Sequence, residues 1–353
     1  MGTFILEIAF TFVLEVLRLK LIPIAAVGFM VARALAGDGP ISEGKFVPIG
    51  GIDQWIGIHG ADEANPVVLV VHGGPGEAQT PLEQLYAGWL NDFTVVQWDQ
   101  RGAGKTFGHN GKATPDLTLE RLIQDGVEVA DYTRQRLHKK RIILLGHSWG
   151  SFLGVNIIRK RPDLFFAFVG TGQVVSWAQI MASQHAWTIQ RAEAEKNHEA
   201  LKELQEIGPP PYEWGPKFLL ARKWLNRYLA DADVKYLQSQ SQMVRSAPDF
   251  SSQDFQDWIA GLQFSMDLLY PTVATMDLPK TAGNSMPVPF FVIQGEEDHI
   301  TPTNAAAGYF RAIHAPKKGM LVIKGAGHFA YATHQKEFLT DLVQYVTPLA
   351  MSR

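Results

Sequence analysis

The sequence contains no cysteine, and this absence removes several chemistries before any motif is considered. A chain without thiols forms no disulfide, offers no thiolate ligand to a metal ion and has no cysteine nucleophile. The absence leaves the compartment open, because such a chain suits either redox environment.

An excess of charge of either sign is also lacking. The 32 lysines and arginines nearly balance the 35 aspartates and glutamates, and no basic stripe runs along the chain. We therefore expect no nucleic-acid partner, and a neutral or mixed substrate is more natural. No pattern indicates a metal site or an organic cofactor, so we expect neither.

Long uncharged runs are missing even from the strongly apolar segment of residues 1–36. Its longest uncharged run, Leu21–Ala32, has 12 residues, fewer than the ~20 that span a bilayer. Glutamates precede the first basic residue, whereas a secretory signal begins with positive charge. Polar residues recur at helical spacing from Glu7 to Arg18, which predicts an apolar helix with one narrow polar stripe.

Three locations are open for this predicted helix. It could pack on the core of its own chain, pair with a second subunit in a homo-oligomer, or lie in a membrane interface. We favour a cytoplasmic protein, with membrane association through residues 1–36 as the alternative.

The chain as a whole, with 353 residues of which 46% are hydrophobic, is long and apolar enough for one large domain with an insertion. Buried-strand runs alternate with helical patterns over residues 37–174 and return over 286–353, which predicts an α/β fold with a mostly parallel, doubly wound sheet. Residues 175–285 lack such runs, are rich in tryptophan and include a helical pattern from Trp187 to Ile207 that stops at Gly208. We predict that they form a helical cap, with most aromatic side chains in its core and a minority lining a pocket.

The stretch Gly146-His-Ser-Trp-Gly150 stands between an apolar strand pattern and an apolar helix pattern. In that context G-x-S-x-G is a nucleophile elbow, where glycines let strand and helix approach while the serine takes a strained conformation. Ser148 is therefore the candidate nucleophile.

A serine nucleophile needs a base, and the base needs an acid. His328 follows the last predicted strand in a glycine-rich turn, and Asp298 follows the strand before it. Loops that follow parallel strands meet at one edge of the sheet. We choose Asp298 over its neighbours Glu296 and Glu297 on the spacing Gly295-x-x-Asp298.

The turn His72-Gly-Gly-Pro-Gly-Glu77 follows the first predicted parallel strand. Its glycines can bring backbone N–H groups beside a ligand oxygen, so it is the natural second half of an oxyanion hole whose first half is the N–H of Trp149. The G-x-G-x-x-G spacing of a dinucleotide site is absent after this strand.

Taken together, these stretches resemble the proline iminopeptidase family of α/β-hydrolases, over roughly residues 45–174 and 286–350. The resemblance implies an α/β-hydrolase fold with an inserted cap, Ser148, Asp298 and His328 as the catalytic triad, and Gly73 with Trp149 as oxyanion donors. The motifs that carry it are His72-Gly-Gly-Pro-Gly76, Trp98-Asp-Gln-Arg-Gly-Ala-Gly104, Gly146-His-Ser-Trp-Gly-Ser151, Gly295-x-x-Asp298 and Gly325-Ala-Gly-His328.

Peptidases of that family remove an N-terminal proline and hold its free amine with cap glutamates. No cap glutamate of this sequence aligns with them, so Gly74, Glu77 and Glu213 are the candidates for substrate binding. A second departure is His147, where strict iminopeptidases show glycine.

The resemblance implies a serine hydrolase that forms an acyl-enzyme and removes an N-terminal proline or small apolar residue from short peptides. The alternatives are a carboxylesterase or amidase acting on a small hydrophobic substrate, and a ligand-sensing receptor with the same fold. Dehalogenation and epoxide hydrolysis are disfavoured, because both need a carboxylate nucleophile at the elbow.

Overall fold

The computed structural model describes residues 39–351, so the helix predicted for residues 1–36 lies outside the described part. The described chain is built on one eight-stranded sheet. Its strands in chain order are β1 (Ile41–Ile49), β2 (Ile52–Gly60), β3 (Val67–Val71), β4 (Thr94–Trp98), β5 (Ile142–His147), β6 (Phe165–Thr171), β7 (Phe290–Gly295) and β8 (Lys318–Ile323).

The sheet order is β1-β2-β4-β3-β5-β6-β7-β8. The first two strands form a hairpin around Gly50 and Gly51, and β2 pairs antiparallel with β4. All other neighbours pair in parallel. The mostly parallel sheet predicted from the buried-strand runs is confirmed.

Helices follow most strands. No helix in the described part of the chain is long and apolar enough to cross a bilayer. The α-helices of residues 39–351 are α1 (Gly104–Asn110), α2 (Leu119–Arg136), α3 (Trp149–Lys160), α4 (Trp177–Ala194), α5 (His198–Ile207), α6 (Pro216–Arg227), α7 (Asp231–Arg245), α8 (Ser252–Val273), α9 (Leu278–Thr281), α10 (Thr303–Ala312), α11 (Ala330–Thr333), α12 (Gln335–Tyr345) and α13 (Thr347–Met351).

The central strands are apolar throughout because both faces of the sheet are covered. Every residue of β3, β4 and β5 is buried. Alternate side chains enter two different clusters: Leu69 and Leu144 join the cluster that contains residues of α2 and α3, whereas Val68 and Leu145 join the one with Trp89 of a 3₁₀ helix. This period of two explains the continuous apolar runs.

Helices α4 to α9 lie between β6 and β7 in the chain, and we call them the helical insertion. Its longest helix, α8, is fixed to loops of the sheet domain by two side-chain hydrogen bonds. The indole N–H of Trp258 donates to the carbonyl of Ala78 (2.9 Å), and the hydroxyl of Ser265 donates to the carbonyl of Gly102 (2.8 Å).

Helix boundaries inside the insertion differ from the sequence expectation, since α4 begins at Trp177 rather than at Trp187. The pattern over residues 187–207 predicts a single helix that ends at Gly208, but α4 ends at Ala194 and α5 begins at His198. The break occurs because Asn197 is an N-cap, whose side-chain oxygen accepts a hydrogen bond from the N–H of Ala200.

The loop that follows β4 is tied down by its charged residues, as their position suggests. Arg101 donates from Nε to Asp125 Oδ2 at 2.7 Å and from Nη2 to the carbonyl of Gly50 at 2.7 Å. The buried carboxylate of Asp99 accepts bonds from the Thr80 hydroxyl (2.8 Å) and the Lys105 N–H (2.9 Å). Burial raises the pKa of Asp99 to about 7.

We predict that Asp99 makes stability fall as pH rises. Its carboxyl has a higher pKa in the folded chain than the ordinary 3.8, so the cost of burying its charge is absent below about pH 4 and fully present above about pH 7. The pKa of Asp99 is about three units above its ordinary value, which corresponds to about 4 kcal/mol in the free energy of unfolding.

Urea unfolding of the wild type and Asp99→Asn from pH 4 to pH 8 measures this effect. The free energy of unfolding of the wild type, relative to the variant, should decrease across that range. A pH-independent difference would contradict the prediction.

Candidate active site

Ser148 occupies the sharp turn between β5 and α3. Its backbone has φ +53° and ψ −121°, a conformation that non-glycine residues rarely adopt. The Ser148 N–H donates to the carbonyl of Thr171 (2.9 Å), and the Ser148 carbonyl accepts from the N–H and hydroxyl of Ser151. The strained turn is therefore fixed on both sides.

The two glycines of the motif are required by close backbone approaches. A Cβ atom on Gly150 would lie 2.0 Å from the carbonyl oxygen of Val71 in β3, and one on Gly146 would lie 2.3 Å from the carbonyl oxygen of Gly150. Helix α3 thus starts against the end of β3, which keeps Ser148 at the carboxyl edge of the sheet.

Asp298 and His328 meet at the same edge, after β7 and β8. The Nδ1 atom of His328 lies 3.0 Å from Asp298 Oδ2. The carboxylate also accepts hydrogen bonds from the Gln294 side chain (2.8 Å) and from the N–H groups of Ile300 (2.9 Å) and Thr301 (2.8 Å). Both the carboxylate and the imidazole are buried.

The hydroxyl of Thr301 adds a further contact to this pair. It donates to Asp298 Oδ2 (2.8 Å) and lies 3.1 Å from His328 Nδ1. The two neighbouring glutamates are turned elsewhere: Glu296 accepts from the N–H of Gly325, and Glu297 pairs with His299.

His147 packs beside the candidate base. Its ring centroid lies 4.8 Å from that of His328 and 4.8 Å from that of Tyr331. Burial lowers the pKa of His147 well below its ordinary value, so this imidazole is neutral near pH 7.

The turn predicted to complete the oxyanion hole lies against Ser148. A Cβ atom on Gly73 would be 3.3 Å from the Ser148 Cβ. The N–H of Gly73 donates to no described residue, whereas its carbonyl accepts from the N–H of Glu77 at 3.2 Å. Gly74 lines the cavity above the serine.

This cavity has a volume of about 370 Å³ and joins the sheet edge to the helical insertion. The described residues that line it are mostly apolar. They are Gly74, Glu77, Ser148, Trp214, Phe218, Leu219, Arg222, Asn226, Leu237, Ile259, Leu262, Gln263, Met266, Ile300, His328 and Phe329. A cavity of the same volume, at the β1–β2 hairpin, shares none of these described residues.

The structure separates the two glutamates predicted to bind substrate. Glu77 lines the cavity, half-buried, and accepts a hydrogen bond from the Gln240 side chain (2.6 Å). Glu213 is exposed and does not line the cavity, because its neighbours Tyr212 and Trp214 take the inward positions. Within residues 39–351 no cluster of three or more acidic or histidine side chains is placed to hold a metal ion.

Asp233 of α7 is a site residue that sequence reasoning missed. Its buried carboxylate accepts the backbone N–H of His328 (2.6 Å) and that of Phe329 (3.4 Å). The approach needs glycine at 327, where a Cβ atom would lie 2.1 Å from Asp233 Oδ2. The helical insertion therefore holds the backbone of the candidate base.

Of the two residues that sequence reasoning missed, Thr301 could have been found from a local pattern and Asp233 could not. Thr301 stands three residues after Asp298, a spacing that is typical of a turn closed by a side-chain carboxylate. Asp233 carries no local signal, because its partner lies 95 residues away in the chain.

We predict that Asp233→Ala lowers both stability and turnover. The substitution leaves two buried N–H groups without an acceptor, which costs about 1–3 kcal/mol. It also loosens the backbone of His328, so kcat should fall more than KM rises. Urea unfolding and steady-state kinetics measure the two effects, with Asp231→Ala as the control, since Asp231 is exposed on the same helix. If the two variants behave alike, Asp233 does not position His328.

Comparisons with known proteins identify the family. The sequence model of the family described as "Serine aminopeptidase, S33" matches residues 62–332. A probable aminopeptidase of Bacillus subtilis (strain 168), YbaC, is 27% identical over 308 residues, covering 85% of this chain and 95% of the relative. A probable proline iminopeptidase of Leptolyngbya boryana is 24% identical over 283 residues, covering 76% of this chain and 83% of that relative.

A solved structure shows the same fold. The proline iminopeptidase-related protein from Thermus thermophilus aligns with a TM-score of 0.62 at 19% identity, over 88% of this chain and 99% of that one. The resemblance to proline iminopeptidase-like α/β-hydrolases is confirmed, because the family match covers well over half of the sequence. The chain is a hydrolase with the α/β-hydrolase fold and belongs to the S33 serine aminopeptidase family.

Proposed function

We propose that this hydrolase works through an acyl-enzyme, with Ser148 as nucleophile and His328 as general base. The observation that carries the proposal is that both residues line one cavity while Asp298 occupies the Nδ1 side of His328. The Nε2 atom of the imidazole is then left to take the proton of the Ser148 hydroxyl.

The reaction proceeds in two steps, acylation and deacylation. Ser148 Oγ attacks the substrate carbonyl and its proton passes to His328, which returns the proton to the leaving nitrogen as that bond breaks. Water then attacks the acyl carbon and gives a proton to the same histidine, which returns it to Ser148 Oγ as the acyl–Oγ bond breaks and the acid is released. The N–H groups of Gly73 and Trp149 stabilise the oxyanion of each tetrahedral intermediate, and one such donor contributes about 3–4 kcal/mol.

As substrate we propose a short peptide from which an N-terminal proline or small apolar residue is removed. The apolar cavity wall suits such a side chain, and Glu77 suits the free amine. Two relatives, a probable aminopeptidase and a probable proline iminopeptidase, support the same class of substrate.

Opposing effects act on the pKa of Glu77. Burial raises the pKa of this carboxyl, while the hydrogen bond from Gln240 and the attraction of His328 and Arg222 lower it. A substrate ammonium beside Glu77 would further favour the ionised form. Amine binding should therefore weaken as pH falls through the raised pKa of Glu77.

An ester or amide of a small hydrophobic acid is the second candidate substrate. The apolar lining favours it, since such a substrate needs no partner for an amine. The two candidates differ in whether a free N-terminal amine accelerates the reaction.

We predict that Ser148→Ala abolishes turnover of p-nitrophenyl acetate and of proline anilide. Loss of the nucleophile in a serine triad costs on the order of 10⁶-fold in kcat. Ser252→Ala is the matched control, because Ser252 is exposed at the start of α8. Wild-type rates in Ser148→Ala would refute the mechanism.

We also predict that Glu77→Gln removes most of the preference for proline anilide over N-acetyl-proline anilide. The variant keeps the shape of the side chain but loses its charge. In the wild type, kcat/KM for the free amine should fall between pH 8 and pH 5 while that for the acetylated substrate changes less. Glu213→Gln is the control and should keep the preference. If acetylation does not slow the wild type, the esterase or amidase function replaces the aminopeptidase function.

A further inference from the structure

The cavity wall contributed by α6 carries polar groups that the proposed mechanism does not use. Phe218, Arg222 and Asn226 follow one another at intervals of four residues and all line the cavity. Residues at this spacing share one face of a helix. Arg222 is the one lysine or arginine among the described residues that line the cavity.

The guanidinium of Arg222 has no hydrogen bond or ion pair with any described residue. Its Cζ atom lies over the ring of Phe218, 5.6 Å from the ring centroid. Burial lowers the pKa of Arg222, while Glu77, Tyr270 and Asp298 favour its charged form. A guanidinium has five donors and matches the geometry of a carboxylate. The N–H donors of this half-buried guanidinium are therefore free to bind a ligand carboxylate.

Asn226, one helical turn further on, also has a polar group without a partner in the described part of the chain. Its Oδ1 atom is buried and has no hydrogen-bond partner among the described residues. An amide oxygen at this place can accept from an N–H group next to a carboxylate held by Arg222.

Glu77 and Arg222 face the same cavity with opposite charges. They attract each other, yet they form no ion pair within the described part of the chain, and the Glu77 carboxylate is bonded to Gln240 instead. A dipeptide carries an ammonium and a carboxylate separated by one peptide bond. A cavity of about 370 Å³ that is lined by one carboxylate and one guanidinium is complementary to such a molecule.

We propose that Arg222 and Asn226 form a subsite for the free C-terminal carboxylate of the leaving residue, so that this hydrolase prefers dipeptides. The inference rests on the aminopeptidase function proposed above, in which Glu77 holds the amine. In a longer peptide the carboxylate stands further from the scissile bond, which takes it away from this subsite.

The test compares prolyl-leucine with prolyl-leucinamide, which differ in the terminal carboxylate. In the wild type, kcat/KM should be about 10-fold or more higher for the acid, as expected for a charge-assisted contact. In Arg222→Gln the ratio of acid to amide should fall to about 1, and Arg222→Lys should keep part of it. Arg227→Gln is the control and should keep the wild-type ratio, because Arg227 is exposed on the same helix.

Two further measurements show whether the effect is confined to the carboxylate subsite at Arg222. The preference of Arg222→Gln for proline anilide over its N-acetyl form reports whether Glu77 still acts, and this preference should persist. In the unaltered wild type, free leucine should inhibit at least about 10-fold more strongly than leucinamide, a comparison that needs no variant.

The outcomes distinguish the two proposals. If the wild type cleaves acid and amide equally well and Ser148→Ala is inactive, the subsite is wrong and the aminopeptidase function stands. If Arg222→Gln keeps the preference for the acid, the subsite is also wrong. If the wild type hydrolyses p-nitrophenyl acetate but neither dipeptide, the aminopeptidase function and the subsite are both wrong.

Discussion

The arrangement of the site depends on the buried carboxylate of Asp298. It accepts bonds from β7 through Gln294, from its own turn through Thr301, and from His328 of the next loop. A carboxylate so enclosed has little freedom, and in a buried setting each of its hydrogen bonds is electrostatically stronger than in water. The orientation of the His328 imidazole follows from that of the carboxylate.

The same histidine is also held from the helical insertion. Asp233 binds the backbone of His328 while Asp298 binds its side chain, so two carboxylates from different parts of the chain fix one residue. The insertion supplies Arg222 and most of the apolar cavity wall as well. A shift of the insertion relative to the sheet would therefore alter both substrate contacts and the position of the base.

Ser148 is positioned by a different constraint. Its positive φ places the chain in a rarely populated conformation, which typically costs about 1–3 kcal/mol and is retained where surrounding structure enforces it. Here α3 abuts β3 so closely at Gly150 that a Cβ atom would clash with the Val71 carbonyl. The packing of a buried helix on a buried strand thus maintains the strain at the nucleophile.

The sequence was informative wherever a local pattern determines a structure. Continuous apolar runs predicted the buried strands, and residues that follow strands of a parallel sheet share an edge, which brought Ser148, Asp298 and His328 to one place. The break at Asn197 was missed because a capping side chain interrupts an otherwise helical pattern.

Tertiary contacts could not be predicted from the sequence. Nothing in the spacing around Asp233 indicates a bond to His328, and nothing distinguishes Arg222 from the other arginines of the insertion. The choice between Glu77 and Glu213 likewise depended on which side chain the folded chain turns towards the cavity. Substrate preference is therefore the least predictable property, since it rests on contacts between distant segments.

The proposed mechanism requires that Ser148 becomes covalently acylated. Acid-quenching the protein during turnover of a p-nitrophenyl ester, followed by intact-mass and peptide-mapping mass spectrometry, detects such an acyl-enzyme. We expect one added acyl group, on the peptide that contains Ser148, with loss of that group as the ester is exhausted. Turnover with the acyl group on another residue, or with no acylated protein even when deacylation is slowed at low pH, would contradict it.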